Sequence, residues 1–127
     1  MDPGLTSLFN RPITNAPTPM NLTIESISKD GYHLLCLVGD VDTKTAPSLL
    51  TALTELELSS IGELRIEFTS VGFLSSAGLR ALVFAKQKMP YESRLILVGA
   101  SDEIVDVITK TGLTQAVLLV SDHASIT

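Results

Sequence analysis

Glu63-Leu64-Arg65-Ile66-Glu67-Phe68-Thr69-Ser70-Val71-Gly72-Phe73-Leu74-Ser75-Ser76-Ala77-Gly78-Leu79-Arg80 changes its hydrophobic period part-way along. Leu64, Ile66 and Phe68 alternate with charged residues, the pattern of a strand with one face turned to a core. Beyond a junction of small residues, Leu79, Leu82, Val83 and Lys86 recur at helical intervals in a helix predicted over Ser75 to Met89. Pro90 ends it, because a residue before proline is pushed out of the helical region. A strand running into a helix is half of a β-α-β unit, so the chain reads as α/β.

The neighbouring segments extend this reading in both directions. Leu22, Ile24 and, with a change of face, Ile27 predict a first strand, and Lys29-Asp30-Gly31 a tight hairpin turn. His33 to Val38 is apolar on both faces and reads as a central strand, with Cys36 as a buried, inert residue inside it. Gly39-Asp40-Val41-Asp42 breaks that strand. A helix follows, capped by Thr43 or Thr45, with Pro47 in its first turn and Ala46, Leu49, Leu50, Leu53 and Leu56 on one apolar face. Downstream, Arg94 to Val98 is a strand, and Ser101 caps a third helix with Asp102 and Glu103 in its first turn. Ile104, Val107 and Ile108 give that helix its inner face, and Thr111-Gly112 closes it. Ala116 to Val120 reads as an edge strand and Ser121 to Thr127 as a polar tail. The predicted order is β-β-α-β-α-β-α-β, a mixed sheet with right-handed crossovers and partner contacts at the loops that follow the strands.

Composition narrows the function classes. The chain has 127 residues, of which 45% are hydrophobic, 18% charged and only 5% aromatic, so one domain with an aliphatic core is expected. A net charge of −5, with scattered Lys and Arg, disfavours nucleic acid and anionic membrane surfaces. No run approaches the length of a membrane span and no signal peptide is present at the start, so the expected location is cytoplasmic. Residues 1–20 hold four of the six prolines and read as a flexible lead-in before a single domain over 21–127.

Chemistry-bearing patterns are sparse. His33 and His123 have no second ligand at metal spacing. Phosphate-loop, dinucleotide and nucleophile-elbow motifs are all missing, so no enzyme and no cofactor is expected. Asp40 and Asp42 suit a solvated or capping loop better than a cation site. The Ser75-Ser76 pair sits where helical N–H groups lack partners, so either hydroxyl suits an N-cap.

Four blocks together resemble the successive landmarks of the STAS domain, and more narrowly the bacterial anti-sigma factor antagonists. They are Gly39-Asp40-Val41-Asp42-Thr43-Lys44-Thr45-Ala46, Phe73-Leu74-Ser75-Ser76-Ala77-Gly78-Leu79, Leu95-Ile96-Leu97-Val98-Gly99 and Thr111-Gly112-Leu113. The resemblance covers roughly residues 22 to 120. It implies a STAS-like layered fold, with a mixed sheet of about five strands and helices mainly on one face.

It also implies a protein that binds a serine-kinase-type anti-sigma factor and frees the sigma factor. Phosphorylation by that kinase, with ATP, would block binding, and a protein phosphatase would restore it. The acceptor position falls on Ser76, with Ser75 as fallback, and the family's Gly-x-x-Asp loop falls on Gly39 and Asp42. The partner surface would include Asp42, Thr43, Ser75, Ser76, Ala77, Gly78 and Arg80. This chain departs from the pattern at Ser75, where the family has Asp, and at Arg80, where many members have Gly. A C-terminal helix of the family would begin near Ser121. The alternative is a STAS-type ligand-sensing or scaffold module in another pathway, with a nucleotide pocket lined by Asp40, Asp42, Ser75 and Ser76.

Overall fold

Asp30 and Gly31 form the two-residue turn read from the sequence, and Gly31 takes the φ of 94° that favours glycine. The turn joins β1 (Thr23–Lys29) to β2 (Tyr32–Val38) as an antiparallel pair closed by Lys29 and Tyr32. From there a computed structural model, which describes residues 22–125, carries the chain through alternating helices and parallel strands. These are α1 (Ala46–Thr54), β3 (Glu63–Ser70), α2 (Ser76–Lys88), β4 (Arg94–Val98), α3 (Asp102–Lys110) and β5 (Leu118–Val120). The expected lead-in, 1–20, lies outside the described residues.

The sheet order is β1-β2-β3-β4-β5, with β1 antiparallel to β2 and the remaining pairs parallel. Each strand therefore lies beside its neighbour in sequence. Successive right-handed crossovers then step in one direction and leave every helix on the same face. The core is built there. Leu35, Leu37, Leu64, Ile66, Phe68, Leu95 and Leu97 pack with Leu49 and Leu53 of α1, Leu79 and Leu82 of α2, and Ile104 and Ile108 of α3. The architecture is the expected mixed five-stranded α/β sheet with one helical layer.

Packing corrects several local expectations. β2 is an interior strand, but the helical layer buries only one of its faces, so Cys36 is half-buried and Val38 is 53% exposed. Leu50 was expected on the inner face of α1 but is exposed, as is Val83 on α2. The last strand begins at Leu118 and not at Ala116, because Leu113–Gln115 winds into a 3-10 turn whose Leu113 carbonyl accepts from the Ala116 and Val117 N–H groups. Past Ser121, where the family's C-terminal helix would begin, the described residues form a single 3-10 turn, His123–Ser125.

That turn is not a detached polar tail, because His123 returns to the helix-free face of the sheet. Its Nε2 lies 2.7 Å from Glu67 Oε1 and its Nδ1 lies 3.1 Å from Arg65 Nη1. A guanidinium only donates, so Nδ1 accepts from Arg65 and Nε2–H donates to Glu67. Arg65 also donates to Glu63 at 2.7 Å and lies 3.6 Å above the Tyr32 ring, and Arg94 pairs with the same Glu63. Burial alone would raise the Glu63 pKa, but the bonds from Arg65 and Arg94 outweigh it and hold the carboxyl below its usual range.

His33, at the start of β2, has its pKa lowered by burial, with Ser26 Oγ at 2.7 Å from its Nε2. A histidine kept neutral by the fold costs stability once it must charge. Stability is therefore full above the unfolded value of about 6.5 and falls as pH drops through the lower folded value. The urea midpoint of the wild type should fall more steeply than that of His33→Gln between about pH 7.5 and pH 5.5. Parallel declines would contradict this assignment.

Candidate functional site

Two loops at the carboxyl end of the parallel strands are zipped together by backbone. Gly39 N–H donates to Ser70 O at 3.1 Å, Val41 N–H to Phe73 O at 2.9 Å, and Ser75 N–H to Val41 O at 2.8 Å. Val41 and Leu74 form a parallel bridge that extends the β2–β3 pairing beyond the strands, and both side chains are buried. The Gly39–Thr45 loop is thereby held against the start of α2. Gly78 permits the close approach, since a Cβ there would lie 2.6 Å from Leu74 Cδ1 and 2.7 Å from Val41 Cγ1. Gly78 itself is buried and faces this contact.

The serine pair divides its labour. Ser75 has extended backbone angles, occupies the N-cap, and accepts through Oγ from the Gly78 N–H at 3.2 Å. Ser76 is the first helical residue, and its side chain is exposed. A hydroxyl at this position is not needed for the cap, so it is available to chemistry from outside. Its neighbourhood is the positive end of α2, whose first turn carries no acidic residue.

Asp42 is consumed by its own loop. Its Oδ1 accepts from the backbone N–H groups of Lys44 and Thr45, both at 2.9 Å, and from Thr45 Oγ1 at 3.1 Å. The Thr45 backbone bond is the largest cause holding the Asp42 pKa below its ordinary value, with the Lys44 backbone bond and the Thr45 side-chain bond adding to it against some desolvation. Thr45 occupies the cap position of α1, as expected, but makes no side-chain cap bond, and the Asp42 carboxylate orders the loop just ahead of the helix by accepting from the Lys44 and Thr45 N–H groups.

Beside Ser76, α1 and α2 leave a groove of 310 Å³ lined by Thr43, Ala46, Pro47, Leu50, Ala77, Arg80, Ala81 and Phe84. Three residues expected on a partner surface, Thr43, Ala77 and Arg80, meet in it. The sequence reading missed Leu50 and Phe84, which form its apolar floor and wall, and Phe73, which is 51% exposed on the loop before the serines. Periodicity placed Leu50 with the core because a position at the border of an apolar stripe looks the same whether a neighbouring helix covers it or flanks it. Among the described residues no cluster of His, Cys, Asp and Glu could hold a metal ion, and no helix is long and apolar enough to cross a membrane.

This fold has known counterparts. Residues 23–126 match the STAS domain. The chain is similar to the anti-sigma-B factor antagonist of Listeria monocytogenes, 33% identical over 100 residues that cover 77% of this chain and 88% of that one. It is 27% identical to the anti-sigma-B factor antagonist of Staphylococcus aureus over 95 residues, covering 74% and 88%. The crystal structure of an anti-sigma factor antagonist from Mycobacterium paratuberculosis superposes with a TM-score of 0.76 at 27% identity, over 86% of this chain and 93% of that one. The phosphorylated form of the Bacillus cell fate determinant SpoIIAA shares the fold at a TM-score of 0.61 and 15% identity, over 83% and 96%. The chain belongs to the STAS-domain family, among the anti-sigma factor antagonists.

Proposed function

We propose that this protein is a cytoplasmic regulator that binds a serine-kinase-type anti-sigma factor and is switched off by phosphorylation of Ser76 and on again by a phosphatase. The exposed Ser76 hydroxyl, freed from capping by Ser75 and set beside an apolar groove, carries the reading. The relatives named as antagonists, and the solved phosphorylated form of a protein with the same fold, support it.

The groove would receive apolar side chains of the partner against Leu50 and Phe84, with Arg80 facing a carboxylate. A phosphate on Ser76 adds about −1.5 to −2 charge at the positive end of α2, where anions are stabilised by about 0.3–1 kcal/mol. It therefore leaves the fold intact and acts on the docking face. Arg80 stands one turn along α2 from Ser76, so the phosphate would draw on the same cation that the partner uses.

Incubation with the cognate anti-sigma kinase and ATP, followed by fragmentation mass spectrometry, should place one phosphate on Ser76 and none on Ser75. Modification of Ser75, whose oxygen is engaged with Gly78 N–H, or of neither serine, would overturn the assignment.

A further inference from the structure

We infer that the free edge of the sheet pairs β1 with β1 of a second copy, antiparallel about a two-fold axis at Ile27. Among the described residues β1 is the outer strand, seven residues long, and β2 covers only one of its sides. The two-residue turn makes Lys29 and Tyr32 a hydrogen-bonded pair. Alternation then leaves the N–H and C=O groups of Ile24, Ser26 and Ser28 pointing away from the sheet. A row of this kind is a template for another strand.

The side chains choose the occupant and the register. Glu25, Ile27 and Lys29 project from one face of β1. On β2 their neighbours are Cys36, Leu34 and Tyr32, none of which neutralises either charge. Among the described residues Glu25 and Lys29 have no ion-pair partner. A two-fold axis at Ile27 sets Glu25 opposite the second copy's Lys29, Lys29 opposite its Glu25, and Ile27 opposite Ile27 as a non-hydrogen-bonded pair. Ser26 and the second copy's Ser28 then exchange backbone hydrogen bonds, which the outward direction of both allows. A register moved to Ser26 would set Glu25 against isoleucine and lose both charge pairs. An axis through the edge perpendicular to the sheet keeps both helical layers on one side and turns the carboxyl ends of the two sets of strands, with their Ser76 surfaces, in opposite directions. The edge lies apart from Ser76, and the pairing does not depend on the proposed switch.

An interface of this size is at the weak end of specific association, so the dimer should appear in sedimentation of the full chain below about 1 mM. Glu25→Lys and Lys29→Glu, each placing like charges in both pairs, should weaken it at least ~10-fold, and the double exchange should return it to within ~3-fold of wild type. In a Cys36→Ser background, Ile27→Cys should form an interchain disulfide under mild oxidation. Opposed non-hydrogen-bonded residues stand about 4.5 Å apart at Cα, within disulfide range. Ser26→Cys should not. Thermal melting of each variant checks that it is folded. A monomer at every concentration overturns the inference. So does a dimer indifferent to the charge exchange, or cross-linking at position 26 in place of 27.

Discussion

Ser76→Asp is expected to weaken binding of the anti-sigma factor by 10²- to 10³-fold while the melting temperature stays level or rises by no more than about 5 °C. Both halves follow from the position of this residue. As the first residue of α2, it places a carboxylate at the positive end of a helix dipole and buries nothing in the free protein. In the proposed complex the same carboxylate would lie in the docking face and lose its water. An uncompensated charge buried this way costs about 3–5 kcal/mol, and about 1.4 kcal/mol is a factor of ten. Ser75→Asp separates the switch from simple charge addition. Asp is also a good N-cap, so that variant keeps the bond to Gly78 N–H and should melt near wild type. Calorimetric titration of both variants against the purified anti-sigma factor, with melting curves alongside, measures both halves. If Ser76→Asp binds like the parent, or unfolds, the interfacial account fails.

Phe68→Ala should cost about 3–5 kcal/mol and lower the melting temperature by roughly 10–30 °C. Phe68 is fully buried and is the largest of the wholly enclosed side chains. It sits near the end of β3, on the face that the helices cover, and the loop to Ser75 leaves two residues later. Removing the ring leaves a cavity whose walls belong to several elements and cannot close together. For a domain of this size such a loss is a large share of a total stability of about 5–15 kcal/mol. Phe68→Leu keeps most of the volume and should cost less than about 1.5 kcal/mol. Urea unfolding of both variants provides the test. An alanine variant within about 1 kcal/mol of wild type would mean that the core is not closed at this point.

Much of this molecule is written in short-range signals. The turn at Asp30-Gly31, the Ser101 cap with its bond from Ile104 N–H, and the left-handed Gly112 after α3 are local devices, and each is found at its expected residue. The alternation of Leu64, Ile66 and Phe68 likewise marks their buried face, because a strand has only two. The parallel direction of the helix-linked strands was also accessible, since such crossovers are right-handed.

The site was legible only in outline. That Ser75 and Ser76 begin a helix is a local statement. Which one caps and which one is free depends on a shift of one residue in backbone angles, and either assignment satisfies the spacing. The neighbouring loop gave even less away. Asp42 could face solvent, a cation or a helix end, and only the folded loop turns its oxygen onto the N–H groups of Lys44 and Thr45.

The amino-acid order alone determined the kind and succession of the main elements, the Asp30-Gly31 turn and the Ser101 cap, because each depends on residues a few positions apart. Three features were decided only when those elements packed. They are the groove formed by Leu50, Arg80 and Phe84, the return of His123 to Glu67 and Arg65 across the open face, and the exposure of Val38 and Cys36. Each depends on groups distant in sequence, whose meeting is fixed by how layers cover one another and not by any local preference of the chain.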